Sequence, residues 1–464
     1  MHRASIERIE VMNVAEEREI PTDRKEQISW YLYDFANTSF TVLMVTALFP
    51  IYFRNLVTQA FNDGGFMGSV LWGYAGSVTM IVIAISSPIL GAIADYSGSK
   101  KKFLIIYTVL CIYFNALLYF AVPNSTAFGI PIWVWTFVLF IIANIGFQGA
   151  LPFYNAWLPE ISTDENIGRI GGYGFAAGYV GAMLTIIIAL VSVSIFGTNS
   201  TVPFLLGALF FLVFAVPSIW GLKNRPATAT ADELGKSYIS IGFNRIARTV
   251  RQLKDFQGMR LYLVSYFLFS NAITTVIYFA ALFGETVYAF SITDILLFFA
   301  VTQLAAIPGA FIFGYVADRI KTKPTLMITL AIWVVALVIA YLGTSQIVWW
   351  IVGLIAGVGM GSAQSTARSM YGQYIPERKK SEMFGFFALT GKFAAILGPF
   401  IFSAVVSWSQ AMGLGIEIAY RNALLSILVL FVVSLLILVK VRQPVKGGSE
   451  VKVQVEDDIV PPVV

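Results

Sequence analysis

Two ionised side chains lie where almost every neighbour is apolar, which makes them the first candidates for chemistry. Lys392 stands in LTGKFAAILGP, about ten residues into an apolar run at 382–407, or ~15 Å along a helix that rises about 1.5 Å per residue. Asp34 stands in SWYLYDFANTSFT, with Asn37, Thr38 and Thr41 at i+3, i+4 and i+7. That spacing gathers four polar groups on one helical face. A charge amid hydrocarbon costs roughly 2.5–3.5 kcal/mol on insertion scales, so a sequence keeps one for a reason. For Lys392 the reasons are an anionic group on a bound solute or a carboxylate in a structural pair. For Asp34 they are proton binding or gating, against the plainer reading of a solvated helix end.

Uncharged polar groups extend the set. Asn144, Gln148 and Asn155 recur through the run 131–157. Such amides can hydrogen-bond a zwitterion or a sugar, or tie neighbouring helices at about 0.6 kcal/mol each. Gln364 and Arg368 share a face at i and i+4 near the end of the run 347–370, where a salt bridge closing a gate is expected of Arg368.

A near-repeat supplies further gate candidates. GAIADYSGSKKKF at 91–103 returns as GYVADRIKTKPTL at 314–326, with Asp95 and Asp318 offset by 223 residues. Each carboxylate could cap the positive N-terminal end of a helix in the opposite half. Lys100, Arg319 and their basic neighbours would meet lipid phosphates or gate carboxylates, and Glu160 and Arg169 in an adjoining loop join that set.

Much chemistry is excluded. Cys111 is the only cysteine and His2 the only histidine, so no disulfide within the chain, cysteine-based zinc site or iron–sulfur cluster is expected. No nucleophile–base pair, phosphate loop or metal cluster emerges. The sequence therefore predicts neither an enzyme nor a cofactor, and flux would be driven by an ion gradient or by the solute's own gradient.

The elements holding these residues follow from composition. Of 464 residues, 58% are hydrophobic and 12% charged, about half the charge of a soluble domain. Runs long enough to cross a roughly 30 Å hydrocarbon core occur at 29–53, 68–94, 103–122, 131–157, 170–195, 203–222, 261–283, 293–317, 324–343, 347–370, 382–407 and 419–440. With Arg368 counted in its adjoining loop, 28 of the 31 Lys and Arg residues fall on the side of the N-terminus. Arg54 and Arg421 lie opposite. Both termini are thus expected in the cytosol.

The expectation is an all-α membrane protein of twelve helices in two pseudo-symmetric bundles at 29–222 and 261–440. A cytosolic tail at 1–28, a basic linker at 223–260 and a tail at 441–464 flank them. The net charge of +5 suits anionic lipid headgroups rather than nucleic acid. Trp30, Tyr31 and Tyr33 are expected in an interfacial aromatic belt. Gly174, Gly178 and Gly181 mark close helix packing. Sequons at Asn124 and Asn199 fall in short loops on the side opposite the termini, where modification is not expected.

These features resemble the major facilitator superfamily, whose acidic–basic turn is matched by GAIADYSGSKKKF and echoed by GYVADRIKTKPTL. Within it, WYLYDFANTSF, PFYNAWLPEI, GRIGGYGFAAGYVG, QSTARS and LTGKFAAILGP are similar to the vacuole-effluxer-like branch. The resemblance implies a twelve-helix transporter working by rocker-switch alternating access, and a tie to exporters that release amino acids from the fungal vacuole. It assigns Asp34, Asn37, Asn155, Glu160, Gln364, Arg368 and Lys392 to motif positions without fixing their roles. The fourth run lacks the mid-membrane arginine of many proton-driven drug exporters. The long soluble insertions of fungal relatives are also absent, which points to a prokaryotic plasma membrane. The expected function is secondary transport of a small polar solute, an amino acid or related zwitterion, by a monomer with protons as the candidate coupling ion. A sugar transporter and a non-transporting membrane sensor are the alternatives.

Overall fold

The computed structural model describes residues 23–123, 125–127, 129–162, 167–224, 258–374 and 380–442. Most of the basic linker at 223–260, Asn124 and most of both tails lie outside the described residues.

Asp23 begins the first helix, α1 (Arg24–Phe40), by accepting a 2.9 Å hydrogen bond from the Lys25 N–H. The helix then widens into a π-helical segment, Thr41–Ala47, before α2 (Phe49–Phe61). The Leu48 N–H reaches back five residues to the Leu43 carbonyl, and Pro50 in the first turn of α2 has no N–H to offer. Thr46 turns its hydroxyl onto the Thr41 and Val42 carbonyls. The span expected at 29–53 is therefore a bent pair, Arg24–Ala47 and Phe49–Phe61, with an angle of 43° between them.

The N-terminal bundle continues with α3 (Phe66–Ser97) and α4 (Lys100–Leu117). A two-residue hairpin follows, β1 (Thr126–Ala127) and β2 (Ile130–Pro131), then α5 (Ile132–Asn155), α6 (Ile167–Phe196) and α7 (Val202–Gly221). The C-terminal bundle comprises α8 (Met259–Tyr288), α9 (Ile292–Ile320), α10 (Thr322–Leu342), α11 (Gln346–Gln373), α12 (Lys380–Ala411) and α13 (Ile416–Lys440). Eleven described helices are long and apolar enough to span a bilayer, and the bent α1–α2 pair makes the twelfth. Outward side chains such as Phe311 and Leu436 are exposed, as expected where hydrocarbon rather than water is the solvent.

Within the N-terminal bundle α1 packs on α6 and α7, and α4 on α5; in the other, α9 and α10 pack on α11, and α8 on α13. The bundles meet chiefly along α3–α12 and α6–α9. Glycine sets the closest approaches. A Cβ at Gly181 would overlap the Phe35 carbonyl oxygen, and one at Gly361 would overlap that of Ala306.

The sequence repeat places a positive-φ residue at the same position in both halves, though with ψ 22° at Gly98 and ψ 161° at Lys321. Gly98, between α3 and α4, has φ 63°, and its counterpart 223 residues on, Lys321 between α9 and α10, has φ 74°. Lys321 holds ψ 161°, a region that is nearly exclusive to glycine.

Candidate functional site

The site is assembled from α1, α5, α8, α11 and α12. Lys392 points across the bundle boundary, and its Nζ donates to Gln148 Oε1 on α5 at 2.5 Å. It sits about 18 Å along α12 from Lys380. No carboxylate pairs with it among the described residues, so the structural ion pair considered from the sequence is not formed. An amide accepts one of the three ammonium N–H groups without supplying a countercharge.

Asp34 lies deeper than the sequence suggested, because α1 begins at Arg24 rather than near residue 29. It stands about 15 Å inside the helix and is half-buried rather than a solvated end. Asn37 donates to its Oδ1 at 3.3 Å, and the missing side chain of Gly178 leaves room for its Oδ2 against α6. Asn37 is buried and Thr41 half-buried, so the polar stripe faces the protein interior.

The expected aromatic belt is not one. Trp30 and Tyr33 are buried, Trp30 stacks on Tyr154 at 4.7 Å, and its indole N–H donates to the Tyr154 carbonyl at 3.0 Å. The Tyr33 hydroxyl meets Thr108 at 2.6 Å. An aromatic ring near a span end suits a headgroup layer and a neighbouring helix equally, which is why the sequence misled. Asp34 thus lies beside an aromatic wall in which the buried Tyr154 hydroxyl has no hydrogen-bond partner.

The remaining amides separate. Asn144 is buried within the N-terminal bundle with its Oδ1 unpartnered, whereas Asn155 and Gln364 are exposed. Arg368, one turn beyond Gln364, makes no salt bridge among the described residues. Its guanidinium instead lies 5.4 Å from the centre of the Phe175 ring on α6, across the bundle boundary.

On the face carrying the termini, the described ion pairs stay within one bundle. Lys100 pairs with Glu160 at 2.5 Å and Lys223 with Asp23 at 2.6 Å. A hydrogen bond from Lys223 holds the Asp23 carboxyl below its ordinary range. Asp318 and Arg319 are exposed, and Arg319 lies over its own Tyr315. Among the described residues Asp318 caps no helix of the opposite bundle, unlike the sequence expectation. The side chains of Asp95 and Arg169 lie outside the described residues.

The opposite face is fastened by residues that sequence reasoning missed. Arg54 on α2 pairs with Glu285 on α8 at 2.8 Å and donates to Thr286 at 2.7 Å. Trp72 stacks on Tyr278 at 4.4 Å, and Tyr420 donates to Ser69 at 2.7 Å. Each of these crosses from one bundle to the other. Charge near a span end carries no energetic alarm in a sequence, and Arg54 and Glu285 are 231 residues apart.

Residues 68–449 match the family described as vacuole effluxer Atg22 like. The chain is 28% identical over 439 residues to the uncharacterized MFS-type transporter YxiO of Bacillus subtilis (strain 168), covering 93% of this chain and 98% of that one. It is 22% identical over 507 residues to autophagy-related protein 22 of Coccidioides immitis (strain RS), covering 83% and 82%. Among solved structures, a D-xylose–proton symporter superposes with TM-score 0.67 at 14% identity, over 92% of this chain and 98% of that one. The nucleoside transporter NupG superposes with TM-score 0.63 at 14% identity, over 89% and 98%. The fold is that of the major facilitator transporters.

Proposed function

This chain belongs to the vacuole effluxer Atg22-like family and is a multi-pass membrane transporter of the major facilitator type, and from that premise we propose that it moves an amino acid or related zwitterion by secondary active transport. The observation that carries this reading is the lysine–amide bond between bundles, Lys392 to Gln148. A solute carboxylate offers Lys392 the charge that an amide lacks. Once Lys392 turns to it, Gln148 Oε1 is released to accept from the solute's ammonium group. The pair therefore reads both ends of an α-amino acid.

Exchange of that bond also ties occupancy to bundle geometry. A solute that binds one arrangement of the bundles better than the other shifts the population between them. The described ties lie mainly on the face opposite the termini, which supports a state accessible from the termini's side. In our reading that side is the cytosol, the membrane is the plasma membrane, and the unit is a monomer. Asp34, beside Asn37 and Tyr154, is the candidate proton-coupling group.

The test is flux in proteoliposomes. Lys392→Ala is expected to abolish uptake and counterflow while leaving expression and folding intact; unchanged flux rejects the role. A second reading, a sugar or glycoside as solute, draws on the exposed amides Asn155 and Gln364 and on the unpartnered Tyr154 hydroxyl. It also draws on the solutes named for the two structural neighbours. Competition of a labelled amino acid by sugars separates the two.

A further inference from the structure

We infer that the solute carries net negative charge, with two acidic groups, so that within the zwitterion reading on which this rests the substrate is an acidic rather than a neutral amino acid. The argument is one of unpaired charge. Two cations, Lys392 and Arg368, reach toward the N-terminal bundle, and neither has a carboxylate partner among the described residues. Their cross-bundle neighbours are an amide and an aromatic ring, and neither carries charge. Asp34 lies against Gly178 of α6, one turn from Phe175, and its described bond is to the Asn37 amide rather than to a cation.

The cations also belong to one neighbourhood. A Cβ at Gly391, beside Lys392, would stand 3.0 Å from the Tyr266 hydroxyl and 3.9 Å from the Ser270 hydroxyl on α8. Arg368 lies within electrostatic reach of that same Tyr266 hydroxyl. The helices that carry the two cations, α11 and α12, thus both face α8 at Tyr266, and Phe387 of α12 stacks on Tyr266 and on Tyr371 of α11.

Lys392 is half-buried and Arg368 exposed in this state; closing the bundles around a solute takes both from water, and a desolvated cation is satisfied by an anion rather than by a dipole. A neutral zwitterion adds no net charge and leaves this excess in place when the bundles close around it. A solute with two carboxylates and one ammonium cancels the excess. One carboxylate takes Lys392, the second takes the Arg368 fork, which suits bidentate binding, and the ammonium turns toward Gln148 or Asp34. Arg368 is then a specificity-determining residue, a role different from the gate salt bridge read in the sequence.

The experiment compares L-glutamate, succinate and L-leucine on the purified full chain, by thermal shift and by competition in proteoliposome counterflow. L-Glutamate is expected to raise the melting temperature at concentrations where L-leucine does not, and to compete at least tenfold better. Arg368→Gln should shrink that preference tenfold or more by weakening glutamate alone, and Arg368→Lys, which keeps the charge but not the fork, should restore part of it. Three results overturn the inference: leucine competing as well as glutamate, no glutamate effect on melting or flux, or Arg368→Gln weakening both solutes equally, as a gate residue would. Flux that needs Lys392 but prefers neutral solutes rejects only this charge assignment. Flux indifferent to Lys392→Ala rejects instead the zwitterion reading built on the Lys392–Gln148 pair, on which this inference rests.

Discussion

At the scale of single residues, a membrane interior turns charge into information. Lys392 was legible because nothing but a function or a partner justifies an ammonium amid hydrocarbon. Its partner was not, because Gln148 lies 244 residues away and resembles any helix-bonding amide. Arg368 misled for the same reason: a guanidinium near a span end reads as a salt-bridge donor, and only the fold reveals Phe175 beneath it. Asp34 provides the sharpest residue-level test. Asp34→Asn keeps a hydrogen-bonding group beside Asn37 but cannot ionise. If Asp34 carries the coupling proton, uptake driven by an imposed proton gradient falls to background while solute exchange continues. Loss of both in equal measure assigns Asp34 to solute binding or structure instead.

At the scale of elements, close packing and backbone strain make separable predictions. Gly181→Leu and Gly361→Leu would drive side chains into the carbonyls of Phe35 and Ala306, and each should reduce the monodisperse fraction in fluorescence size-exclusion. Gly172→Leu, where nothing lies within 4 Å of the added carbon, should leave it unchanged. The turn between α9 and α10 offers the opposite sign. Lys321 holds φ 74° and ψ 161°, a conformation costing a non-glycine residue about 1–3 kcal/mol. Lys321→Gly should therefore raise the melting temperature by a few degrees; a fall would mean that the lysine side chain contributes more than its backbone costs. The equivalent turn of the first half already has a glycine, Gly98. The sequence repeat exposed that equivalence, whereas the π-helical break at 41–47 left no trace in it. Apolar character is indifferent to whether a turn holds 3.6 or more residues.

At the scale of the whole molecule, two bundles are fastened on one face by Arg54, Glu285 and Thr286 and by the stacked Trp72 and Tyr278. Alternating exposure requires that this set come apart. Arg54→Ala should lower the melting temperature by several degrees and change transport rate more than solute affinity. The double variant Arg54→Glu, Glu285→Arg should recover much of the loss. A non-interacting pair would give additive effects, since a double-mutant cycle isolates the coupling. The number of spans, their grouping and the repeat were legible because hydrocarbon tolerates so few alternatives. The tie between faces was not, because it joins side chains that are individually unremarkable in sequence. A practical dividend lies in Cys111, the chain's only thiol, buried where Gly146 of α5 closes on α4. Because it is sheltered from thiol-directed reagents, paired cysteines placed on the two rims can carry spectroscopic reporters in the otherwise native protein. Opening and closing then become distances measured during turnover.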